Sequence, residues 1–206
     1  MIAECITVGP FMANCFILGC EETKDAVIID PGDEADRILR RVNDLGVNIT
    51  KIINTHAHID HVGAVQDVKD KLGVKFYLHK NEEFILQTYD YQCKLFGVRF
   101  GAQPEADGFL EEGNIIQVGK LEVRVILTPG HSPGGICFMT GDKIFVGDTL
   151  FAGSIGRTDL PGGSFDTLIK MIRTKLLILP AETEVLCGHG PETTIGQEKW
   201  TNPFLI

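Results

Sequence analysis

Three of the six histidines of the chain fall within one six-residue segment, residues 56–61, which reads His-Ala-His-Ile-Asp-His. The segment follows an apolar run that predicts a strand and precedes residues with helical spacing. In extended backbone, residues two positions apart point to the same side. His56 and His58 can therefore converge on one ion, while Asp60 and His61 face a neighbouring position. The segment predicts a site for two adjacent metal ions, and the fold must bring further ligands to it.

Three turns can provide the additional ligands, and each of them follows a strand-like run and has glycine beside the ligand. They are centred on His131, Asp148 and His189. Glycine lets the backbone approach an ion closely, and the two oxygens of Asp148 can bridge both ions. The ligand sets that we expect are His56, His58, His131 and Asp148 for the first ion, and Asp60, His61, His189 and Asp148 for the second.

The turn at His131 also matches the nucleophile elbow of serine hydrolases, because residues 130–134 read Gly-His-Ser-Pro-Gly. Such an elbow uses the backbone N–H of the residue after the serine as an oxyanion donor. Here that residue is Pro133, which has no N–H. A serine hydrolase would also leave the segment 56–61 without a role. We therefore expect Ser132 to bond locally in the turn that orients His131.

Alternating strand and helix patterns organise the chain. Strand, helix, strand, helix and strand alternate up to residue 78. Strand patterns return after residue 113 and are followed by a long helix that begins at Ser164. A short helix is predicted near residues 81–88, whereas residues 89–101 are aromatic and have no clear period. Two strand-rich halves accompanied by helices predict an α/β sandwich of two sheets with the helices outside.

Length and charge exclude several classes of protein. The chain has 206 residues, which is the size of one domain, so we expect a single domain over residues 1–206 and no separate C-terminal domain. The hydrophobic fraction of 44% is typical of a globular protein, and no apolar run has the length of a membrane span. The 28 acidic and 19 basic side chains leave a net charge of −9, which argues against nucleic-acid binding.

The cysteines indicate a reducing compartment. We read all six as lying in apolar, strand-like stretches of a chain that is long enough to form a core without disulfides, and no C-x-x-C pair occurs. The first residues lack a basic segment followed by an apolar one, so no secretory signal is visible. We expect reduced thiols and a cytoplasmic protein without a membrane partner.

The ordered motifs resemble the metallo-β-lactamase superfamily. The resemblance is carried by residues 55–61, the turn at His131, Asp148 and His189, in this order and over nearly the whole chain. It implies a four-layer αβ/βα sandwich with the metal ions at one edge, between the sheets. The turn that begins at Asp30 matches as well, and the resemblance implies that this aspartate supports the ligands.

Within that superfamily, residues 147–163 and 188–196 are similar to short hydrolases of the glyoxalase II type. Two-domain glyoxalase II enzymes hydrolyse S-D-lactoylglutathione and have a cationic residue at the position of Arg157 that contacts glutathione. The chain departs from them in two places. An aromatic residue shortly after His189 is replaced by Gly190-Pro191, and their C-terminal helical domain has no counterpart. The resemblance implies a hydroxyacylglutathione hydrolase-like thioesterase that acts on a small anionic thioester.

Two divalent ions would acidify a bound water to a hydroxide nucleophile, polarise the carbonyl and stabilise the leaving thiolate. We expect Asp60 to orient that hydroxide or take its proton. Arg157 is expected to bind a substrate carboxylate through two hydrogen bonds, with a structural salt bridge as the alternative. Imidazole and carboxylate ligands suit Zn²⁺, Fe²⁺ and Mn²⁺ alike. We expect zinc, with iron or manganese as the alternatives.

Two other activities on the same fold stay open from the sequence. One is an iron-dependent persulfide dioxygenase, which resembles the chain around residues 156–159. The other is a lactonase, β-lactamase or other ester hydrolase with the same metal ligands. The sequence is compatible with a monomer or a homodimer, because residues 89–100 can form either a dimer surface or an active-site lid.

Overall fold

Fourteen strands and seven α-helices make up the computed structural model, which describes residues 1–206. In chain order the strands are β1 (Ile2–Val8), β2 (Ala13–Gly19), β3 (Asp25–Ile29), β4 (Asn48–Ile53), β5 (Lys75–Leu78), β6 (Gly108–Phe109), β7 (Ile115–Val118), β8 (Leu121–Leu127), β9 (Ile136–Thr140), β10 (Lys143–Gly147), β11 (Leu150–Phe151), β12 (Ser154–Ile155), β13 (Glu184–Cys187) and β14 (Thr193–Thr194). The helices are α1 (Ala35–Leu45), α2 (Ile59–Val62), α3 (Val65–Leu72), α4 (Glu83–Leu86), α5 (Tyr89–Phe96), α6 (Phe165–Met171) and α7 (Ile195–Thr201). None of these helices has the length and apolar character that crossing a membrane requires.

The strands form two six-stranded sheets and one small two-stranded sheet. The first sheet has the order β1-β2-β3-β4-β5-β6, in which β1 to β3 are antiparallel and β3 to β6 are parallel. The second sheet has the order β14-β13-β10-β9-β8-β7 and is antiparallel except for the pair β10 and β13. Parallel neighbours need crossover connections, and α1, α2 and α3 provide them between β3, β4 and β5.

Strand β2 shows how the sheets are buried on both faces. Cys15 and Ile17 contribute to the core between the first sheet and its helices, whereas Phe16 and Leu18 contribute to the core between the two sheets. All seven residues of the strand are buried. Because neighbouring residues of a strand point to opposite faces, a strand covered on both sides is apolar throughout instead of alternating.

Three hydrophobic cores separate four layers. The first core lies between the first sheet and α1 to α5, with Tyr89 of α5 among its members. The central core joins the sheets through residues such as Ile53 and Phe138. The third core packs α6 and α7 on the second sheet through Leu168 and Ile195. The αβ/βα sandwich that the sequence predicts is therefore confirmed.

In two segments the secondary structure differs from what the sequence pattern predicts or leaves open. Residues 89–101, which have no clear period, contain helix α5, and this helix ends at Gly97 with a φ of 67°. Its period is obscured because Tyr91 and Leu95 are apolar but exposed. The predicted helix does begin after Ser164, and the Ser164 hydroxyl caps it by accepting a hydrogen bond from Thr167 N. Beyond α6, the helix continues as a π-helical segment at Ile172–Leu176.

Replacing Phe138 with alanine tests the central core. The ring is fully buried between the sheets, so its removal leaves a cavity and is expected to lower the free energy of unfolding by about 3–5 kcal/mol. Urea denaturation measures the loss. Phe204→Ala is the matched control, because Phe204 is exposed and its truncation is expected to cost less than about 1 kcal/mol. Equal losses for the two variants would contradict the packing described here.

Candidate metal centre

The predicted ligands lie where the sheets meet at one edge. His56 and His58 follow β4 in extended backbone, and Asp60 and His61 lie in the single turn of α2. His131 follows β8, Asp148 follows β10 and His189 follows β13. The structure thus brings all seven predicted residues to a single site, and their assignment as metal ligands stays a prediction.

The first ligand set consists of three buried histidines. His131 Nε2 lies 2.8 Å from His58 Nδ1 and 3.3 Å from His56 Nε2. Together, these three residues offer ligand atoms that all lie within 4.8 Å of one another. Converging ring nitrogens of this kind are the donor set that imidazole-binding divalent ions require.

The second ligand set consists of Asp60, His61 and His189. His189 Nε2 lies 3.2 Å from both His61 Nε2 and Asp60 Oδ2. The three residues also have ligand atoms within 4.8 Å of one another. Apart from Asp148, each group therefore brings together the residues that the sequence assigns to one ion, and their coordination of an ion stays a prediction.

Asp148 lies between the two sets. Its Oδ1 atom is 3.4 Å from His61 Nε2, and its Oδ2 atom is 3.6 Å from the Nε2 atoms of His131 and His189. Asp148 Oδ1 is also buried without a hydrogen-bond partner. A buried carboxylate oxygen without a partner is costly, and a cation beside it removes that cost. The two histidine-rich sets and this shared carboxylate fit a pair of divalent ions.

The remaining ring nitrogens orient the imidazoles. His131 Nδ1 donates to the carbonyl of Arg157 at 2.7 Å, and His189 Nδ1 donates to the carbonyl of Phe11 at 3.1 Å. Since a carbonyl only accepts, each bond places the proton on Nδ1 and leaves Nε2 free to bind an ion. Backbone carbonyls therefore select the tautomer that both candidate ligands need.

Asp30 supports the site in the way that the family resemblance implies. Its two carboxylate oxygens accept hydrogen bonds from the backbone N–H and the hydroxyl of Thr55, at 2.7 and 2.6 Å. Asp30 Oδ2 is also 3.1 Å from His61 Nδ1. Asp30 lies close enough to His56 and His61 to form a third potential metal group. Its oxygens are already engaged, however, so we infer that Asp30 orients His61.

In three of the candidate ligands, namely His56, His58 and Asp148, the local environment favours the protonation state that a metal ligand needs. Burial lowers the pKa of His56 well below its usual value and that of His58 to about 3. Burial by itself would raise the pKa of Asp148, but the charge of the neighbouring His61 holds it well below its usual range. Neutral imidazole and ionised carboxylate are the forms that bind divalent ions. These three residues are therefore prepared for coordination by their surroundings.

Glycines beside the ligands are needed because other parts of the chain approach closely. A Cβ atom at Gly188 would lie 2.3 Å from Asp148 Oδ1, and one at Gly147 would lie 2.3 Å from the Thr55 hydroxyl. Gly147 also has a φ of 50°. The glycines predicted to admit an ion thus also let the ligand-bearing loops pack against one another.

We expect Gly188→Ala to disturb the centre while the fold is retained. The added methyl group must displace the Asp148 carboxylate and shift the neighbouring backbone of Gly147, and misplacing a ligand in this way is expected to lower metal affinity about 10–100-fold. Competition with a chromogenic chelator measures the affinity. Gly19→Ala is the control, since its nearest neighbour would be a side-chain carbon at 3.1 Å on a strand far from the ligands in sequence. An unchanged affinity in Gly188→Ala would contradict the geometry described here.

Three buried polar side chains that the sequence did not single out hold the ligand loops. Glu82 accepts hydrogen bonds from the N–H groups of Ala57 and Gly134, at 2.8 and 2.6 Å. Gln92 accepts from Ile59 N, and Asn54 donates to the carbonyl of His61. Each of these side chains bonds to backbone groups that are distant in sequence or lie in a turn. No spacing pattern in the sequence could therefore have identified Glu82, Gln92 and Asn54 as residues of the site.

Two further residues that the sequence singled out, Arg157 and Ser132, belong to neither ligand set. Arg157 is half-exposed and forms two hydrogen bonds with Asp159, at 2.8 and 2.7 Å, which is the salt bridge that the sequence left as an alternative. Ser132 is fully buried, and its hydroxyl has no hydrogen-bond partner, so the local bond that we expected of it in the turn is not found. A serine nucleophile must reach substrate and a base, so the serine-hydrolase interpretation is not supported.

Comparison with known proteins agrees with this description. The family model of the metallo-beta-lactamase superfamily matches residues 8–189. The hydroxyacylglutathione hydrolase GloC of Haemophilus influenzae is 41% identical over 100% of this chain and 98% of its own. The structure of the di-iron-bound form of TTHA1623 is 39% identical with a TM-score of 0.91, covering 98% of this chain and all of the other. The structure of the B3 metallo-beta-lactamase BLEG-1 is 38% identical with a TM-score of 0.92, covering 99% of each chain.

The layered sandwich and its histidine and aspartate clusters define a metallo-hydrolase. The clusters indicate a binuclear centre, in line with the di-iron relative. The chain belongs to the metallo-beta-lactamase superfamily.

Proposed function

We propose that the protein is a thioesterase of the glyoxalase II type, which hydrolyses S-D-lactoylglutathione or a related acyl thioester. The observation that carries the hydrolytic chemistry is the Asp148 carboxylate, which lies between two ligand sets and lines a cavity of about 120 Å³. Support for a thioester substrate comes from the 41% identity to GloC. In this reaction water adds to the thioester carbonyl, the C–S bond breaks, and a carboxylate and a thiol are released.

Two divalent ions held by these ligands would supply a hydroxide nucleophile at neutral pH and a Lewis acid for the carbonyl and the leaving thiolate. The side chains around them would position the reactants. Asp60 lines the cavity, and we propose that its carboxylate orients the attacking water and accepts its proton. Phe11, Phe96 and Leu160 line the same cavity and would limit the access of bulk water to the reacting carbonyl.

We propose that Arg157 binds a carboxylate of the substrate. Arg157 lines the cavity, and a guanidinium group matches a carboxylate with two parallel hydrogen bonds. Asp159 already occupies this geometry, and both side chains are largely exposed. A substrate carboxylate would therefore exchange with Asp159, which is an inexpensive step because an exposed salt bridge contributes little stability.

Thiol release from S-D-lactoylglutathione tests the function. The protein is loaded with zinc, which we propose as the native metal, or with iron, which the di-iron relative raises as the alternative. The bound metals are counted by mass spectrometry. Steady thiol release with two ions per chain is expected. An absence of release with both positions filled contradicts the proposal, and oxygen uptake with glutathione persulfide in the iron form would indicate a persulfide dioxygenase instead.

A β-lactamase is the second candidate, because the similarity to BLEG-1 covers 99% of both chains. The same metal ligands can serve amide and thioester hydrolysis. A chromogenic cephalosporin offered to the same metal-loaded protein distinguishes the two activities. We expect its kcat/KM to be lower than that of the thioester, and the opposite order would favour the β-lactamase.

A further inference from the structure

A row of exposed apolar side chains lies beside the candidate metal centre. Phe84 on α4 and Tyr91 and Leu95 on α5 are 58%, 64% and 58% exposed. Phe96 at the end of α5 is 38% exposed. Single exposed apolar residues are common on protein surfaces, but a contiguous group of large ones marks a binding surface.

These side chains line a cavity of about 90 Å³, which we call the apolar cavity. Leu160 and Pro161 face the row of helical residues across it, and six of its ten lining residues are hydrophobic. The volume is sufficient for several methylene-sized groups. The apolar cavity is therefore a small, preformed concave site, as ligand sites usually are.

The apolar cavity borders the cavity of about 120 Å³ that Asp60 and Asp148 line, which we call the catalytic cavity. Four residues line both of them, namely His58, Gln92, Phe96 and Leu160. His58 belongs to the first ligand set. A molecule whose carbonyl lies at the metal centre can consequently extend an adjoining group past His58 into the apolar cavity.

Hydrogen bonds fix the position of α4 and α5, whose side chains form the apolar wall of this cavity, relative to the candidate metal centre. Gln92 Oε1 accepts from Ile59 N in the ligand segment, and Gln92 Nε2 donates to the carbonyl of Ile85 on α4. Tyr91 and Leu95 are four residues apart on α5, so they lie on the same face of the helix. The wall is thus attached to the loop that carries His58, and a group bound there would have a defined distance from the reacting atoms.

The two cavities differ in the charged residues that line them, and this difference indicates what each can bind. No Asp, Glu, Lys or Arg lines the apolar cavity. Arg157 lines only the catalytic cavity and is paired with Asp159. An ionised group placed in the apolar cavity would lose hydration without gaining a partner, which is costly. The chemistry of this cavity therefore favours an uncharged, apolar group.

We propose that the apolar cavity binds an apolar arm of the substrate, an aliphatic or aromatic group attached to the acyl or the thiol side of the scissile thioester. The inference rests on the proposed thioesterase function and narrows its substrate class. The apolar cavity is continuous with the catalytic cavity, and this favours a part of the substrate as its occupant. The alternative occupant, a second copy of the chain, would be revealed by the test.

Two series of thioesters test the proposal with the metal-loaded full chain. The first series is S-acetyl-, S-butyryl- and S-hexanoylglutathione, and the second is the D-lactoyl thioesters of methyl, butyl and benzyl mercaptan, which all lack a carboxylate and differ only in the apolar group. We expect kcat/KM to rise by up to about fourfold for each methylene group that enters the apolar cavity. The series that shows the rise identifies the side of the thioester that carries the apolar arm.

Leu95→Ser is expected to flatten this dependence on chain length. Ile178→Ser is the matched control, because Ile178 is 73% exposed and lines neither cavity. A second measurement does not depend on turnover. Calorimetry measures how tightly the metal-loaded protein binds acetate, butyrate, hexanoate and octanoate. Affinity is expected to rise with chain length in the wild-type protein and in Ile178→Ser, and much less in Leu95→Ser.

The outcomes separate the two proposals. If thioesters are cleaved at rates that do not depend on the apolar arm, the apolar cavity is not a substrate site although the thioesterase function stands. If no thioester is cleaved but carboxylate affinity rises with length and Leu95→Ser removes the rise, the site stands and the thioesterase function fails. A carboxylate affinity that does not depend on length in a protein that cleaves no thioester overturns both. A wild-type dimer that Leu95→Ser converts to a monomer in sedimentation would assign the surface to a dimer interface and overturn the inference.

Discussion

Asp148→Asn is expected to reduce bound metal from two ions per chain to at most one and to lower turnover by more than about a hundredfold. The carboxylate of Asp148 approaches both ligand sets, with oxygen atoms 3.4 Å from His61 Nε2 and 3.6 Å from the Nε2 atoms of His131 and His189. Asparagine has no negative charge and only one oxygen, so it is a much weaker ligand than a carboxylate for two ions. Replacing a group that merely supports a ligand already costs about 10–100-fold in affinity or activity.

Metal analysis by mass spectrometry and thiol release from the same preparation measure the effect of Asp148→Asn. Asp142→Asn is the matched control, because it makes the same chemical change at an exposed turn between β9 and β10. We expect Asp142→Asn to keep both ions and wild-type turnover. If Asp148→Asn also kept two ions and full turnover, the assignment of Asp148 as the shared ligand would be wrong.

Glu82→Gln is expected to weaken the fold and the metal centre together. The two oxygens of Glu82 accept hydrogen bonds from Ala57 N, between His56 and His58, and from Gly134 N, in the turn that carries His131. A glutamine amide can accept only one of these bonds and presents its own N–H₂ to the other donor. A lost hydrogen bond to a charged group costs about 1.5–3 kcal/mol, and we expect a loss of about 2 kcal/mol in the free energy of unfolding.

The same change in Glu82 releases the loops that carry three candidate ligands, so metal affinity is expected to fall about 10–100-fold. Urea denaturation measures the stability, and chelator competition measures the affinity. Glu83→Gln is the control at the next position, because Glu83 is partly exposed and its side chain makes no hydrogen bond in the structure. A Glu82→Gln variant with the stability and metal affinity of Glu83→Gln would show that this carboxylate does not hold the loops together.

The two ligand sets could be predicted because their members lie at the end of a strand-like run or in the first helical turn after it. His56 and His58 occupy alternate positions of extended backbone, and this local geometry determines their common direction. His131 and His189 follow other strands that end at the same edge. Strand ends and glycine turns are visible in the sequence, so the membership of both sets was available before the fold was known. Their role as metal ligands awaits the metal analysis.

Glu82 shows what local patterns cannot reveal. Its hydrogen-bond partners lie 25 and 52 residues away, and a glutamate in a short predicted helix is ordinarily a surface residue. It is buried here only because two ligand loops meet above it. Arg157 is a comparable case, since the sequence allowed a substrate contact or a salt bridge and the fold places Asp159 against it.

The sequence by itself determined the layered architecture, the family and the candidate ligands, because strand burial, turn glycines and the spacing of histidines follow from the local geometry of the chain. Only the tertiary structure decided how the ligands are supported and what lies beside them. The helix α5 is the clearest example, because its apolar residues point both into the core and out into the apolar cavity. Such a helix has no simple period, and the surface that it forms with Leu160 exists only once segments distant in sequence have packed together.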